Sequence, residues 1–274
     1  MYNQNMETLS CYFKKSATYQ ILKLFSKQIE EFFVTLGEIA QNGVAVLKYI
    51  LTGQVDKKEV IEQCHRFGIT SLPITLSIVG MSSIIVAMQV AGEMVKQGGG
   101  NFVGMLITIL IVREDAVIMS GFALISMIGS SLASEVATMK VSEQIDAMKT
   151  LKVDPLKYLF VPRVLSGILM TPFVVIIASV VGILGGAAAS NISGGLSYRA
   201  FFDSVSLGLY IKDMNVCLAK AVCFGALISL ISCSCGYSAS GGAKGVGLAT
   251  TKAVVWSFIA IAFCDLVFAA LFFF

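Results

Sequence analysis

A single histidine, a single tryptophan, four prolines and only 14% charged residues in 274 positions set the first limits on this chain. Soluble domains carry about 25% charged residues, so an ordinary globular domain is a poor fit. His65 stands alone between Cys64 and Arg66, ahead of the first long apolar run. No Ser/His/Asp or Cys/His constellation can be built from it, and catalysis within the chain is not expected. His65 itself reads as an interfacial side chain rather than a ligand. The dipeptide Gly-Lys occurs nowhere, which excludes a Walker A phosphate loop. Gly245-x-Gly247 lacks a third glycine and a preceding strand, so it is no dinucleotide fingerprint. The seven cysteines are scattered, and Cys233-x-Cys235 has neither a second pair nor a nearby histidine, so no metal site is expected. The first twenty residues lack the roughly 7–15-residue apolar stretch of a secretory signal, and cleavage is not expected.

What is abundant is apolar surface. Hydrophobic residues make up 56% of the chain, with a mean hydropathy of +0.83. The long unbroken runs suit bilayer-spanning helices of about 20 residues, and they do not alternate as barrel strands would. Residues 17–51 are more polar. Ile21, Phe25, Ile29, Phe32, Leu36 and Ile39 recur at helical spacing, with Lys23, Lys27, Glu30, Glu31 and Glu38 on other faces. This predicts an amphipathic helix in the membrane interface. Spans follow at about 71–95, with Pro73 in the first turn, at 102–134, at about 164–189, at 216–237 and at 253–274. The second is too long for one bilayer crossing and reads as a tilted or protruding helix. Pro162 and Pro172 should bend or reset the third span, in which Gly182-xxx-Gly186 offers a close-packing face. Residues 190–215 read as a polar segment. The chain is thus expected to divide into an interfacial region, 1–66, and a transmembrane region, 67–274. An inside N-terminus leaves fifteen of the twenty Lys and Arg residues cytoplasmic, which fixes the orientation, and Trp256 reads as an interface anchor.

Two groups of residues stand out against this background. Between spans two and three lies the strip MKVSEQIDAMKTLKVDPLKYL, 139–159, dense in charge. Val136, Met139, Val141, Ile145, Met148 and Leu151 give it an apolar side, so a short helix ending at Asp154-Pro155 is expected. It either docks a soluble partner or links two spans as a solvated amphipathic loop. The second group is intramembrane: Arg113, Glu114 and Asp115 in span two, Lys220 in span four and Asp265 in span five. Counted at about 1.5 Å per residue, their depths allow all five to line one cavity open to the outer half of the bilayer. Such charges are functional candidates by default. They either pin helices as pairs, Lys220 with Asp265 and Arg113 with an acidic neighbour, or form a pocket in which Lys220 or Arg113 meets a lipid phosphate.

The stretch SEQIDAMKTLKVDPLKYLFVPRVLSG, 142–167, resembles the signature of the MlaE family of ABC-transporter permeases. The resemblance extends to GSSLASEVATMK (129–140), REDAV (113–117) and TTKAVVWSFIAIAFCDLVFAALF (250–272), covering roughly 65–274. It implies an all-α integral membrane protein with an N-terminal interfacial amphipathic helix and about five transmembrane helices. It further implies a cytoplasmic coupling helix between spans two and three, docking an ATPase through Glu135, Lys140, Glu143, Gln144, Asp146, Met148, Asp154 and Pro155. By the same resemblance the chain is a non-catalytic homodimeric permease in the bacterial inner membrane, N-terminus cytoplasmic, carrying phospholipid between membranes. ATP and Mg²⁺ belong to the separate ATPase, and this chain has no cofactor of its own. The other expected partner is a single-span MCE-domain protein on the outer side; no nucleic acid is expected. Arg113, Glu114 and Lys220 match polar positions near the family's lipid cavity, with Asp115 and Asp265 as further candidates. Two departures stand out: Arg113-Glu114-Asp115-Ala116-Val117 replaces an R-E-L-G-P found in some relatives, and Met127 stands where some relatives carry Arg. The resemblance thus implies that Asp115 replaces a cavity charge, which bears on headgroup preference. The rival readings are a proton-coupled secondary carrier, whose inverted repeats and broken helices are not visible here, and a membrane scaffold, which would not need five buried charges.

Overall fold

The structure, a computed structural model, describes residues 17–52 and 56–272. All the regular elements among them are helical. They are α1 (Ala17–Leu51), α2 (Lys57–Lys96), α3 (103–141), α4 (Gln144–Thr150), α5 (Leu156–Gly194), α6 (Tyr198–Gly208), α7 (Ile211–Tyr237) and α8 (Gly242–Phe272). The chain packs as two compact units, Met1–Val44 and Ala45–Phe274. In the first, α1 exposes Phe33, Val34 and Leu36, while the side chains of Ile21, Phe25, Ile29 and Phe32 lie outside the described residues. The second unit begins well before residue 67, because Val46, Tyr49 and Ile50 pack into a core cluster with Ile145, Phe160 and Cys233.

Among the described residues, four helices, α2, α5, α7 and α8, are long and apolar enough to cross a membrane. The segment at 102–134 is helical as expected, but π turns at Ile111–Asp115 and Ile125–Gly129 break its regularity, and it is not among those four. α5 packs on α2 and α7, α7 packs on α8, and the far end of α3 lies against both α7 and α8. The third span continues through Pro172 as one helix.

Two further differences from the sequence reading have local causes. Residues 190–215 are not a plain polar loop: α6 forms within them, and α7 begins at Ile211. The Ser197 hydroxyl accepts the Ala200 N–H as an N-cap, and Phe201 is buried one turn on. Asp154-Pro155 does not end the short helix. α4 stops at Thr150 and reverses through Lys152 at φ 58°, and Asp154 instead accepts the Leu156 N–H at 2.9 Å to open α5.

Two more π turns occur, at Arg66–Thr70 and Leu156–Phe160. A π turn leaves a carbonyl without its usual amide donor, and a buried carbonyl needs one. Each of the four turns is served by a side chain. Ser71 donates to the Phe67 carbonyl at 2.5 Å, and Ser130 to that of Ser126 at 2.5 Å. Arg163 donates to the Leu159 carbonyl at 2.8 Å, and Lys220 to that of Arg113 at 3.1 Å. The two buried cations are therefore part of the backbone's hydrogen bonding as well as of its charge balance.

Small residues set the interhelix distances. Gly182 faces Ser83 and Ile111, and Gly186 faces Ile107 and Ala87, so the expected close-packing face is real. The tightest crossing is Gly225 of α7 on Gly167 of α5, where an added methyl would collide with the Gly167 carbonyl and the Thr171 hydroxyl. Gly225→Ala should therefore lower stability by about 1–3 kcal/mol, as overpacking does. Gly92→Ala, with open space around it, should be neutral or mildly stabilising. Thermal unfolding of the detergent-solubilised variants checks the ranking, and equal melting temperatures would refute it.

Candidate functional site

Arg113, Glu114 and Asp115 occupy three successive positions of one π turn. Successive helical residues point about 100° apart, so the three charges fan out to three different neighbours. Arg113 Nη2 reaches Asp213 Oδ2 at the start of α7, 3.0 Å away. Glu114 takes hydrogen bonds from Lys220 Nζ at 3.1 Å to each of its oxygens. Asp115 turns to α2, where Ser82 and Ser83 donate to it, Ser83 at 2.6 Å.

Lys220 is the centre of this arrangement. Its side chain is 0% exposed, and its ammonium meets Glu114, the Arg113 carbonyl and Asp265, the last at 2.7 Å. The ammonium donates to the Arg113 carbonyl and the two Glu114 oxygens, while Asp265 Oδ1 lies beside it as an ion-pair partner that takes no hydrogen bond. The expected pairing of Lys220 with Asp265 is present, with Glu114 as a third member. Arg113 has its acidic partner too, but that partner, Asp213, lies in the stretch read from sequence as a polar segment. A helical register for 211–220 would have placed Asp213 one turn before Cys217 and two before Lys220, on their face. The five expected residues thus fall into three contact sets. Lys220, Glu114 and Asp265 form one set, Arg113 and Asp213 a second, and Asp115 with its two serines a third.

The sets differ in access. Asp213 is 4% exposed and Asp265 14%, whereas Arg113 and Glu114 keep 32% and 37% of their side-chain surface. Arg113 and Asp213 also line a pocket of about 270 Å³ with Tyr210, Lys212 and Phe272. Lys212 closes one side by donating to the Phe272 carbonyl at 2.9 Å. In all, two central cations meet three carboxyl groups, each cation is already engaged, and the fourth carboxyl, Asp115, is held by serines.

The opposite, charged end is organised by Glu135. Its carboxylate takes Arg66 of α2 at 2.8 Å and Arg163 of α5 at 3.1 Å, and Arg66 also donates to Ser131 at 3.0 Å. Glu135 therefore ties three helices together just before α4, with its side chain 38% exposed. Beyond it, α4 buries Ile145 and packs Met148 partly against the same cluster, while Pro155 is buried. Glu143, at φ 62°, Gln144 and Asp146 stand exposed. Lys140 bonds Asp146 at 3.0 Å, and this bond, with Lys149 helping, holds the Asp146 carboxyl below its usual range. Tyr49 donates to Asp154, whose carboxylate pushes the phenol above its ordinary value. Lys149 sits 5.3 Å from the Tyr237 ring centroid.

Ionisable side chains in the middle of an apolar helical bundle are candidates for a functional site in a multi-pass membrane protein. The chain belongs to the MlaE permease family: the profile described as Permease MlaE matches residues 60–271. A probable ABC transporter permease protein of Synechocystis sp. is 35% identical over 237 residues, covering 86% of this chain and 87% of the relative. A probable ABC transporter permease protein of Rickettsia typhi is 34% identical over 241 residues, 88% of this chain and 93% of the relative. Protein TRIGALACTOSYLDIACYLGLYCEROL 1, chloroplastic, of Arabidopsis thaliana is 36% identical over 234 residues, 84% of this chain and 66% of the relative.

Proposed function

We propose that the chain is the membrane subunit of an ATP-driven transporter that carries phospholipid between membranes. It works as a homodimer in a bacterial inner membrane, with its N-terminus and α4 on the cytoplasmic side. A separate ATPase supplies the energy by gripping α4, and a single-span MCE-domain protein continues the path on the outer side. The supporting relatives are named as ABC transporter permeases, and one carries the name of a galactolipid. The observation that carries the reading is α4. It anchors itself through Ile145 yet leaves Glu143, Gln144 and Asp146 outward beside the Glu135 clamp, a handle fixed to three helices.

In this reading the lipid phosphate exchanges with a carboxylate at Arg113 or Lys220, since both cations already hold one. Asp115, tied to α2 by two serines, does not compete for the headgroup. Glu143→Lys together with Asp146→Lys should abolish co-purification of the cognate ATPase while the protein still inserts, because charge reversal opposes a complementary surface. Wild-type recovery of the ATPase would sink the docking role. Phospholipid extracted from the purified protein tests the cargo separately: its absence would remove lipid from the proposal and leave the ATPase contact standing.

A further inference from the structure

Five of the seven cysteines sit in α7 and α8, and the Lys220 centre gives none of them a task. Two are set apart by position. The bond from Lys220 to Asp265, 2.7 Å, fixes the register of α7 against α8. One turn further, Phe224 of α7 and Ile261 of α8 meet in one core cluster, with Cys264 packed against it, so the two helices run antiparallel through this layer. Cys223 and Cys264 fall between those two contacts, one on each helix. Both residues therefore belong to the same layer of the α7–α8 seam. Both are partly exposed, whereas Cys217, Cys233 and Cys235 are buried. The seam beside them opens outward past Val222, Phe263 and Leu266, which are 37%, 67% and 65% exposed.

We propose that Cys223 and Cys264 are an oxidant-sensitive modification site, a dithiol that closes to a disulfide between α7 and α8 on meeting a peroxide. Hydrogen peroxide is small and uncharged and reaches such a seam without a channel. One thiolate attacks a peroxide oxygen, the O–O bond breaks, and a sulfenic acid and one water form. The second thiol attacks the sulfenic sulfur, the S–S bond forms and a second water leaves, so two thiols and one peroxide give one disulfide and two waters. The helices are already held side by side, and little chain entropy remains to be lost on closure. The product fastens the same seam that Lys220 and Asp265 hold by charge, and dithiothreitol reopens it.

The test reads thiols, so it stands or falls apart from any transport role. The full-length protein in nanodiscs is treated with hydrogen peroxide, unfolded, and its free thiols counted with a maleimide mass tag. The count should fall from seven to five, peptide mapping should join Cys223 to Cys264, and dithiothreitol should restore seven. Cys223→Ser and Cys264→Ser should each show six thiols before and after treatment. An unchanged count of seven overturns the proposal. So does a two-thiol loss mapped to Cys233 and Cys235 or to a link between two chains, and so does oxidation that stops at a sulfinic acid on either residue. Mapping of the unmutated protein decides the matter even where a serine variant fails to fold.

Discussion

Lys220→Met should lower the stability of the folded protein by about 3–5 kcal/mol, the usual cost of removing one partner from a buried ion pair. The substitution keeps the length of the side chain but leaves Glu114 and Asp265 facing each other without a cation and takes the donor from the Arg113 carbonyl. At about 2–4 °C per kcal/mol for a protein of this size, the melting temperature should fall by roughly 10 °C. A Lys220→Ala/Asp265→Ala pair, which would restore neutrality if these two residues formed a closed pair, should recover little, because Glu114 remains. Recovery should need Lys220→Met with both Glu114→Gln and Asp265→Asn. Melting curves of the three variants in detergent distinguish a three-membered centre from a two-membered one. Full recovery in the Lys220/Asp265 double variant would show that Glu114 is not part of it.

Glu135→Ala should be the second most damaging change, costing about 2–4 kcal/mol once the partial exposure of the carboxylate is allowed for. It strands Arg163, whose side chain is only 3% exposed, and loosens α2 and α5 from α3 at once. Arg66 is 34% exposed, so Arg66→Ala should cost no more than about 1 kcal/mol. Arg163→Ala should resemble Glu135→Ala, because it also removes the donor to the Leu159 carbonyl. Urea unfolding followed by tryptophan fluorescence, with Trp256 as the single reporter, gives the order directly. Equal costs for the two arginines would mean that burial does not set the strength of the clamp.

Much of this was legible in the residues. Hydropathy alone demanded helices, because backbone groups in lipid must be satisfied within their own segment. Lys220, among Leu218, Ala219, Ala221 and Val222, had to snorkel, find an acid or meet an anionic ligand, and Asp265 was the acid at a compatible depth. Gly182 and Gly186 announced a close crossing that α2 and α3 fill. The short helix was visible from Ile145 and Met148, and its ending was misplaced because Asp154-Pro155 signals a start as readily as a stop. α6 was missed although Ser197 and Phe201 are cap and anchor at helical spacing, since the polar residues around them resemble a loop.

What only the tertiary structure decided is who meets whom. Arg113 and Asp213 are 100 positions apart, and Ser83 and Asp115 are 32 apart. Nothing in either residue's neighbours names the other. The π turns are equally silent in sequence, because no residue type demands them; each carries a side-chain hydrogen bond to one of its carbonyls. For Arg113 that side chain is Lys220, brought from 107 positions away by the packing of α7 on α3. Composition and periodicity thus determined a helical membrane protein with charges in its middle, since those follow from local transfer energies. The pairing of those charges is a property of helix packing, where backbone contacts such as Gly167 on Gly225 set the distances that decide which ions touch.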